Sequence, residues 1–279
     1  MNDKHPRQGC YPRRPLLRQV PGVPGFRYFF RPALQPQSAT LLVAVHGISR
    51  DSLGMVRWFA EAADASNCAI LAPHFPARTF GDYQRLGRRG RGARADLALL
   101  AALRDAAHLF GVPGDRFALF GFSGGAQFAH RFVYAHGHLV DCLACAAAGW
   151  YTPPDAELRY PHGIGDTRRL ADLSFDASKL LTTPTLTLVG DQDEERDAAL
   201  RQSERIDASQ GLTRRARARW WHAMLQANAA EPAIHEFAEL PDTGHDFTDA
   251  VAAGGLAHQL FAFVERYRNP RPSERSLVQ

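Results

Sequence analysis

With 279 residues and 45% hydrophobic side chains, the chain can build one large α/β domain or two small ones around a substantial core. Its 33 Lys and Arg against 29 Asp and Glu give a net charge of +4, too mild a bias to imply a nucleic-acid partner. No apolar run is long enough to cross a bilayer, so helical membrane spans are excluded and no membrane partner is expected. Met1 to Pro6 lacks the apolar stretch of a secretory signal, which makes a cytoplasmic location the expectation.

In chain order, the first 25 residues are rich in Pro, Arg and Gly and read as an irregular arm. Phe26 to Arg31 reads as an early strand and Thr40 to Val45 as a buried one. A helix follows over Gly54 to Ser66, with Met55, Trp58, Phe59 and Ala62 on one face. Cys68 to Ala72 reads as a strand closed by Pro73, then comes a loop from His74 to about Gly92 and a long helix from Ala93 to Phe110. After the turn Val112-Pro113-Gly114, a strand ending at Phe120 is followed by Gly121-Phe122-Ser123-Gly124-Gly125 and a helix over Ala126 to Tyr134.

The next strand spans Leu139 to Ala148. Residues 149–181 carry little periodicity and read as an insertion forming a lid or pocket wall. Thr185 to Val189 resumes the strands. Helices are expected around Asp197 to Asp207 and over Thr213 to Ala230, a strand over Ile234 to Leu240, and a last helix over Phe247 to Arg268. Strands alternating with helices point to an α/β fold with a mostly parallel sheet covered on both faces. The division expected is an arm over 1–25, one domain over 26–268 and a tail over 269–279.

Chemistry in a parallel sheet sits at the carboxyl ends of the strands. Ser123, in G-x-S-x-G between a strand and a helix, has the setting of a nucleophile held in a tight turn. Asp191 and Asp193 follow the Thr185–Val189 strand, and His245 follows the last strand in Pro241-Asp242-Thr243-Gly244-His245. A serine hydroxyl is a weak nucleophile near neutral pH, so it needs a base and an acid that orients the base. The chain order Ser, Asp, His is that of an α/β-hydrolase elbow.

These motifs, with His46-Gly47 after the early strand, resemble the α/β-hydrolases over residues 26–268. Gly121 to Gly125 followed by Ala126-Gln127-Phe128 is similar to esterases of the poly(3-hydroxybutyrate) depolymerase and feruloyl esterase type. The resemblance implies Ser123 as nucleophile, His245 as base and Asp193 as acid, since the fold's acid usually lies three residues after the strand-ending glycine. Asp191 or Glu194 stands as the alternative acid. It implies an oxyanion hole from the backbone N–H of Gly124 and, from the early loop, that of Ile48. The expected activity is serine hydrolysis of a small-molecule ester or related acyl substrate, with no cofactor and no metal. Acyl transfer, peptide or amide cleavage, and a non-catalytic binding scaffold are the alternatives.

Other features read more plainly. Trp150 and Tyr151 open the 149–181 insertion and are candidate substrate-binding residues. Five arginines between Arg85 and Arg94 read as a solvated loop, with anion binding as the second reading. Arg214, Arg215, Arg217 and Arg219 read as the charged outer face of an amphipathic helix. Cys142 and Cys145 have metal or redox spacing, but three residues apart on a strand they face opposite ways and read as structural.

Overall fold

The computed structural model describes residues 14–170 and 173–268. In chain order the elements are β1 (Leu16–Gln19), β2 (Arg27–Arg31), β3 (Thr40–Val45), α1 (Ser52–Trp58), α2 (Ala60–Ala65), β4 (Cys68–His74) and α3 (Ala95–Phe110). There follow β5 (Phe117–Phe122), α4 (Gly124–His136), β6 (Val140–Ala146), α5 (Ala177–Leu181) and β7 (Thr185–Gly190). The chain closes with α6 (Glu204–Gln210), α7 (Arg214–Asn228), β8 (His235–Leu240), α8 (Phe247–Ala252) and α9 (Leu256–Tyr267).

The strands form one sheet of eight in the order β1-β2-β4-β3-β5-β6-β7-β8. The β1/β2 and β2/β4 pairs are antiparallel, and every pair from β4/β3 to β7/β8 is parallel. Central strands buried on both faces need apolar residues at consecutive positions, which is what Leu41 to Val45 and Phe117 to Phe120 supply. Alternate residues feed separate cores. Leu41, Val43, Val45, Leu119 and Leu143 join α3 and α4 on one face, while Leu42, Ala44, Phe120 and Ala144 join α1 and α9 on the other.

Cys145 lies in the first core and Cys142 in the second, so the thiols do not meet. Both are buried, and burial raises their pKa well above the ordinary thiol value. Cys10 lies outside the described residues, as does the 269–279 tail.

Several elements differ from the sequence reading. Leu16–Gln19, expected to be part of an irregular arm, pairs with β2 as the edge strand. Pro73 does not close β4: the strand runs on to His74, with Tyr28 opposite Pro73 in the antiparallel pair. The helix expected over 54–66 divides at Phe59, whose ring turns into edge-on contacts with Phe120, Phe247 and Phe261. The last helix divides at Gly255, which takes a left-handed φ of 76°. The helix expected from Asp197 begins only at Glu204, because the Asp197 carboxylate instead accepts from the Leu200 N–H and from Arg214.

Candidate active site

Parallel strands deliver their carboxyl ends, and the loops that follow, to one edge of the sheet. Ser123 sits directly after β5 as the N-cap of α4, with φ 52° and ψ −111°. A non-glycine residue at positive φ is strained and needs its surroundings to hold it. Two glycines provide that. A Cβ on Gly121 would run into the carbonyl of Gly125, and one on Gly125 into the carbonyl of Val45 at the end of β3. Bare backbone at both positions lets β5, α4 and β3 close around the serine, which is itself only 8% exposed.

The loops after β7 and β8 are braced together. Gln192 N–H donates to the Thr243 carbonyl at 3.0 Å, and Thr243 N–H donates to the Asp191 carboxylate at 3.2 Å. The brace carries Asp193 to His245. Asp193 Oδ2 accepts from His245 Nδ1 at 2.8 Å, and His245 Nε2 lies 3.0 Å from Ser123 Oγ. A carboxylate can only accept, so the His245 proton resides on Nδ1 and Nε2 is left to accept from the serine. The ring of Phe122 stacks on His245 at 5.3 Å and fixes its plane. The structure therefore brings Ser123, His245 and Asp193 into one hydrogen-bonded chain, while Asp191 belongs to the brace.

Asp193 is buried, and its second oxygen lies 3.5 Å from Arg214 Nη1. Arg214 is itself buried and also binds Asp197 at 2.8 Å. Burial alone would raise the Asp197 pKa, but the hydrogen bonds from Arg214 and from the Leu200 N–H hold it below the usual carboxylate value. Arg214 and Arg217, expected on the outer face of their helix, are both buried. With Ala218, Trp221 and Leu225 they form the inner stripe of α7. Arg217 faces Asp207 at 2.6 Å and the Gly149 carbonyl.

On the far side of Ser123, the early loop turns at Gly47 with Arg50 N–H donating to the Gly47 carbonyl. His46 anchors that turn. Its Nδ1 donates to the Gly47 carbonyl at 2.7 Å and its Nε2 accepts from the Phe75 N–H at 3.1 Å. Burial pushes its pKa down to about 3, so the ring is neutral, as those two bonds require. Ile48 faces the start of α4, with Cγ2 3.2 Å from where a Gly124 Cβ would stand. The N–H of Gly124 is one of the donors that a helix start leaves without an intrahelical acceptor.

A pocket of about 310 Å³ opens on Ser123 and His245. Ile48, Met55, Trp58, Phe122 and Phe247 supply its apolar lining. Trp150 and Tyr151, expected to line the substrate pocket, do not line this one. Tyr151 is fully buried and stacks on Trp221 at 4.6 Å, and Trp150 is 2% exposed. The Tyr151 ring is satisfied by the core and the Trp150 ring by Arg131 and His162, leaving the wall to Trp58 and Phe247. Sequence reading placed Trp58 on a helix face without seeing that the helix ends there. It also missed Tyr83 and Gln84, whose side chains lie beside Gly124 from a 3₁₀ turn in the long loop after β4.

No family model matches the chain, and no curated protein sequence matches it significantly. Solved structures do. Poly(aspartic acid) hydrolase-1 from Sphingomonas sp. KT-1 superposes with a TM-score of 0.72 at 22% identity, covering 88% of this chain and 97% of that one. The fold is that of the α/β-hydrolases. LpqC, a poly(3-hydroxybutyrate) depolymerase from Bordetella parapertussis, gives 0.69 at 22% identity, covering 91% and 88%. An S-formylglutathione hydrolase from Agrobacterium tumefaciens gives 0.59 at 12% identity, covering 87% and 90%. Among the described residues of this α/β-hydrolase fold, no helix is long and apolar enough to cross a membrane.

Proposed function

We propose that this protein is a serine hydrolase that cleaves an ester or related acyl bond through an acyl-enzyme, within a catalytic domain spanning residues 26–268. The observation that carries the reading is the hydrogen-bonded chain from Asp193 through His245 to Ser123. His245 Nε2 takes the Ser123 proton as Oγ attacks the acyl carbon. The oxyanion forms against the N–H groups of Gly124 and Ile48, donors aimed at charge that develops only in the transition state. Collapse of that intermediate expels the alcohol, which leaves with the proton from His245. Water then repeats the sequence on the acyl-enzyme and frees the acid. Asp193 holds the tautomer and faces the imidazolium that forms. The names of the similar structures, hydrolases and a depolymerase, agree with this reading.

The test is labelling by a fluorophosphonate probe together with turnover of short p-nitrophenyl esters. Both are expected to vanish in Ser123→Ala. Retention of either in that variant overturns the assignment of the nucleophile, and absence of both in the parent protein overturns the enzyme reading.

A further inference from the structure

Two loops and helix α4 converge on Trp150. Arg85 comes from the loop after β4, Arg131 from α4 after β5, and Arg201 from the loop after β7. Their guanidinium carbons lie 5.7, 4.4 and 5.9 Å from the centre of the Trp150 ring, itself in the segment after β6. Three cations stacked around one indole gain from its π face but repel one another. Arg88 joins Arg85 on the carboxylate of Asp82, at 2.8 and 2.9 Å. His162 packs on Trp150 at 5.3 Å, and burial, then the charges of Arg205, Arg201, Arg131 and Arg85, push its pKa below the ordinary value. Among the described residues, Arg201 and Arg205 have no carboxylate within ion-pairing distance.

The floor of this cluster holds unused donors. Arg131 is fully buried, and its other nitrogens reach Thr152, Gln84 and Gln127. Its Nη2 has no partner, and neither has the buried hydroxyl of Tyr160, which lies within the same electrostatic reach. Five arginines, of which only Arg85 and Arg88 meet a carboxylate, with orphaned donors on Arg131 and Tyr160, form an arrangement that an oxyanion completes: it supplies the acceptors and removes the repulsion.

The cluster also adjoins the proposed nucleophile. Arg131 donates to the Gln127 carbonyl, and Gln127 is one helical turn from Ser123. Gln84, beside Gly124, precedes Arg85 in the chain. Arg131 is just over two turns of α4 from Ser123, about 12 Å along the helix axis.

We infer that Arg85, Arg88, Arg131, Arg201 and Arg205 form a subsite for a carboxylate carried by the substrate, up to about 12 Å from the bond that Ser123 attacks. The inference rests on the serine-hydrolase reading for its reaction, but not for its binding.

Two measurements test it. The first compares mono-p-nitrophenyl esters of α,ω-dicarboxylic acids, with acyl chains of about six to ten carbons to span the gap, against neutral alkanoate esters of equal length. The carboxylate series is expected to win by about tenfold or more in kcat/KM at its best length. The Arg201→Gln/Arg205→Gln double variant, altered only at exposed positions, should lose most of that ratio, and salt should erode it. Arg104→Gln, which removes an exposed charge on α3, should keep the ratio. The second measurement is calorimetric binding of a free dicarboxylate of the preferred length to Ser123→Ala. It needs no catalysis, so its failure is distinct from failure of the hydrolase reading. Equal rates for the two series, a ratio unaffected by the double variant, or no dicarboxylate binding each overturn the subsite.

Discussion

Replacing Asp193 by Asn isolates what the buried acid does. The side chain is fully enclosed, so the change alters no solvent-exposed surface. An amide nitrogen in place of Oδ2, 2.8 Å from His245 Nδ1, would present a donor to a donor. The amide can flip to offer its oxygen, but its nitrogen then points at Arg214, 3.5 Å from the present Oδ1. Turning the cation-facing position into a donor leaves Arg214 with Asp197 alone, so the unflipped amide is favoured. His245 must then carry its proton on Nε2, where it cannot accept from Ser123. The expected loss is about four orders of magnitude in kcat, or about 5.5 kcal/mol, with KM little changed. Asp191→Asn keeps an oxygen for the Thr243 N–H at 3.2 Å and should cost less than about fivefold. The assay is steady-state hydrolysis of a neutral p-nitrophenyl ester, with thermal melts to show both variants folded. Losses of similar size, or a larger one for Asp191→Asn, would refute the reasoning.

Two further outcomes concern stability. Gly121→Ala places a methyl against the Gly125 carbonyl and should lower unfolding free energy by about 3 kcal/mol; an unchanged urea midpoint would show that the elbow can relax. Between pH 8 and pH 5 the protein should lose stability through histidines buried in the neutral form. His46, whose pKa burial depresses to about 3, stays unprotonated in the fold while the unfolded chain protonates below about 6.5. The unfolded state then binds more protons, so stability rises with pH across that window, and His46 alone costs about 2 kcal/mol at pH 5. His130, lowered well below its ordinary value by burial and by Arg131, acts in the same direction. Urea unfolding at the two pH values measures the slope, and a flat profile would contradict it.

What the sequence disclosed and what it hid divide along a physical line. The sheet was legible because a strand buried on both faces must be apolar at successive positions, and Thr40 to Val45 or Thr185 to Val189 can do little else. The setting of Ser123 was legible for a related reason: Gly121 and Gly125 are needed by local backbone geometry, which leaves its mark within five residues. Helix ends were less so. The breaks at Phe59 and Gly255 and the late start of α6 depend on where a ring packs or which cation a carboxylate meets.

Arginine was the residue that sequence reading handled worst, because its position depends on partners far along the chain. In the loop between Arg85 and Arg94, read as solvated, Arg85 and Arg88 share Asp82 and Arg94 binds the buried Asp96 at 2.6 Å. Arg214 and Arg217 sit at apolar-stripe positions of α7, where the helix period called for hydrophobes. A guanidinium fits there only because Asp193, Asp197 and Asp207 arrive from other elements. Removing water from such a charge costs several kcal/mol unless a partner stands in place, so a buried arginine marks a partner that the fold had to deliver. By that logic Arg214 has its carboxylates and Arg217 has Asp207. Arg131 is buried as deeply and faces an indole, a hydroxyl and main-chain carbonyls, with one nitrogen unmatched. The partner that burial demands for Arg131 is the one group of this kind that the described chain does not supply, which is why it is sought in the substrate.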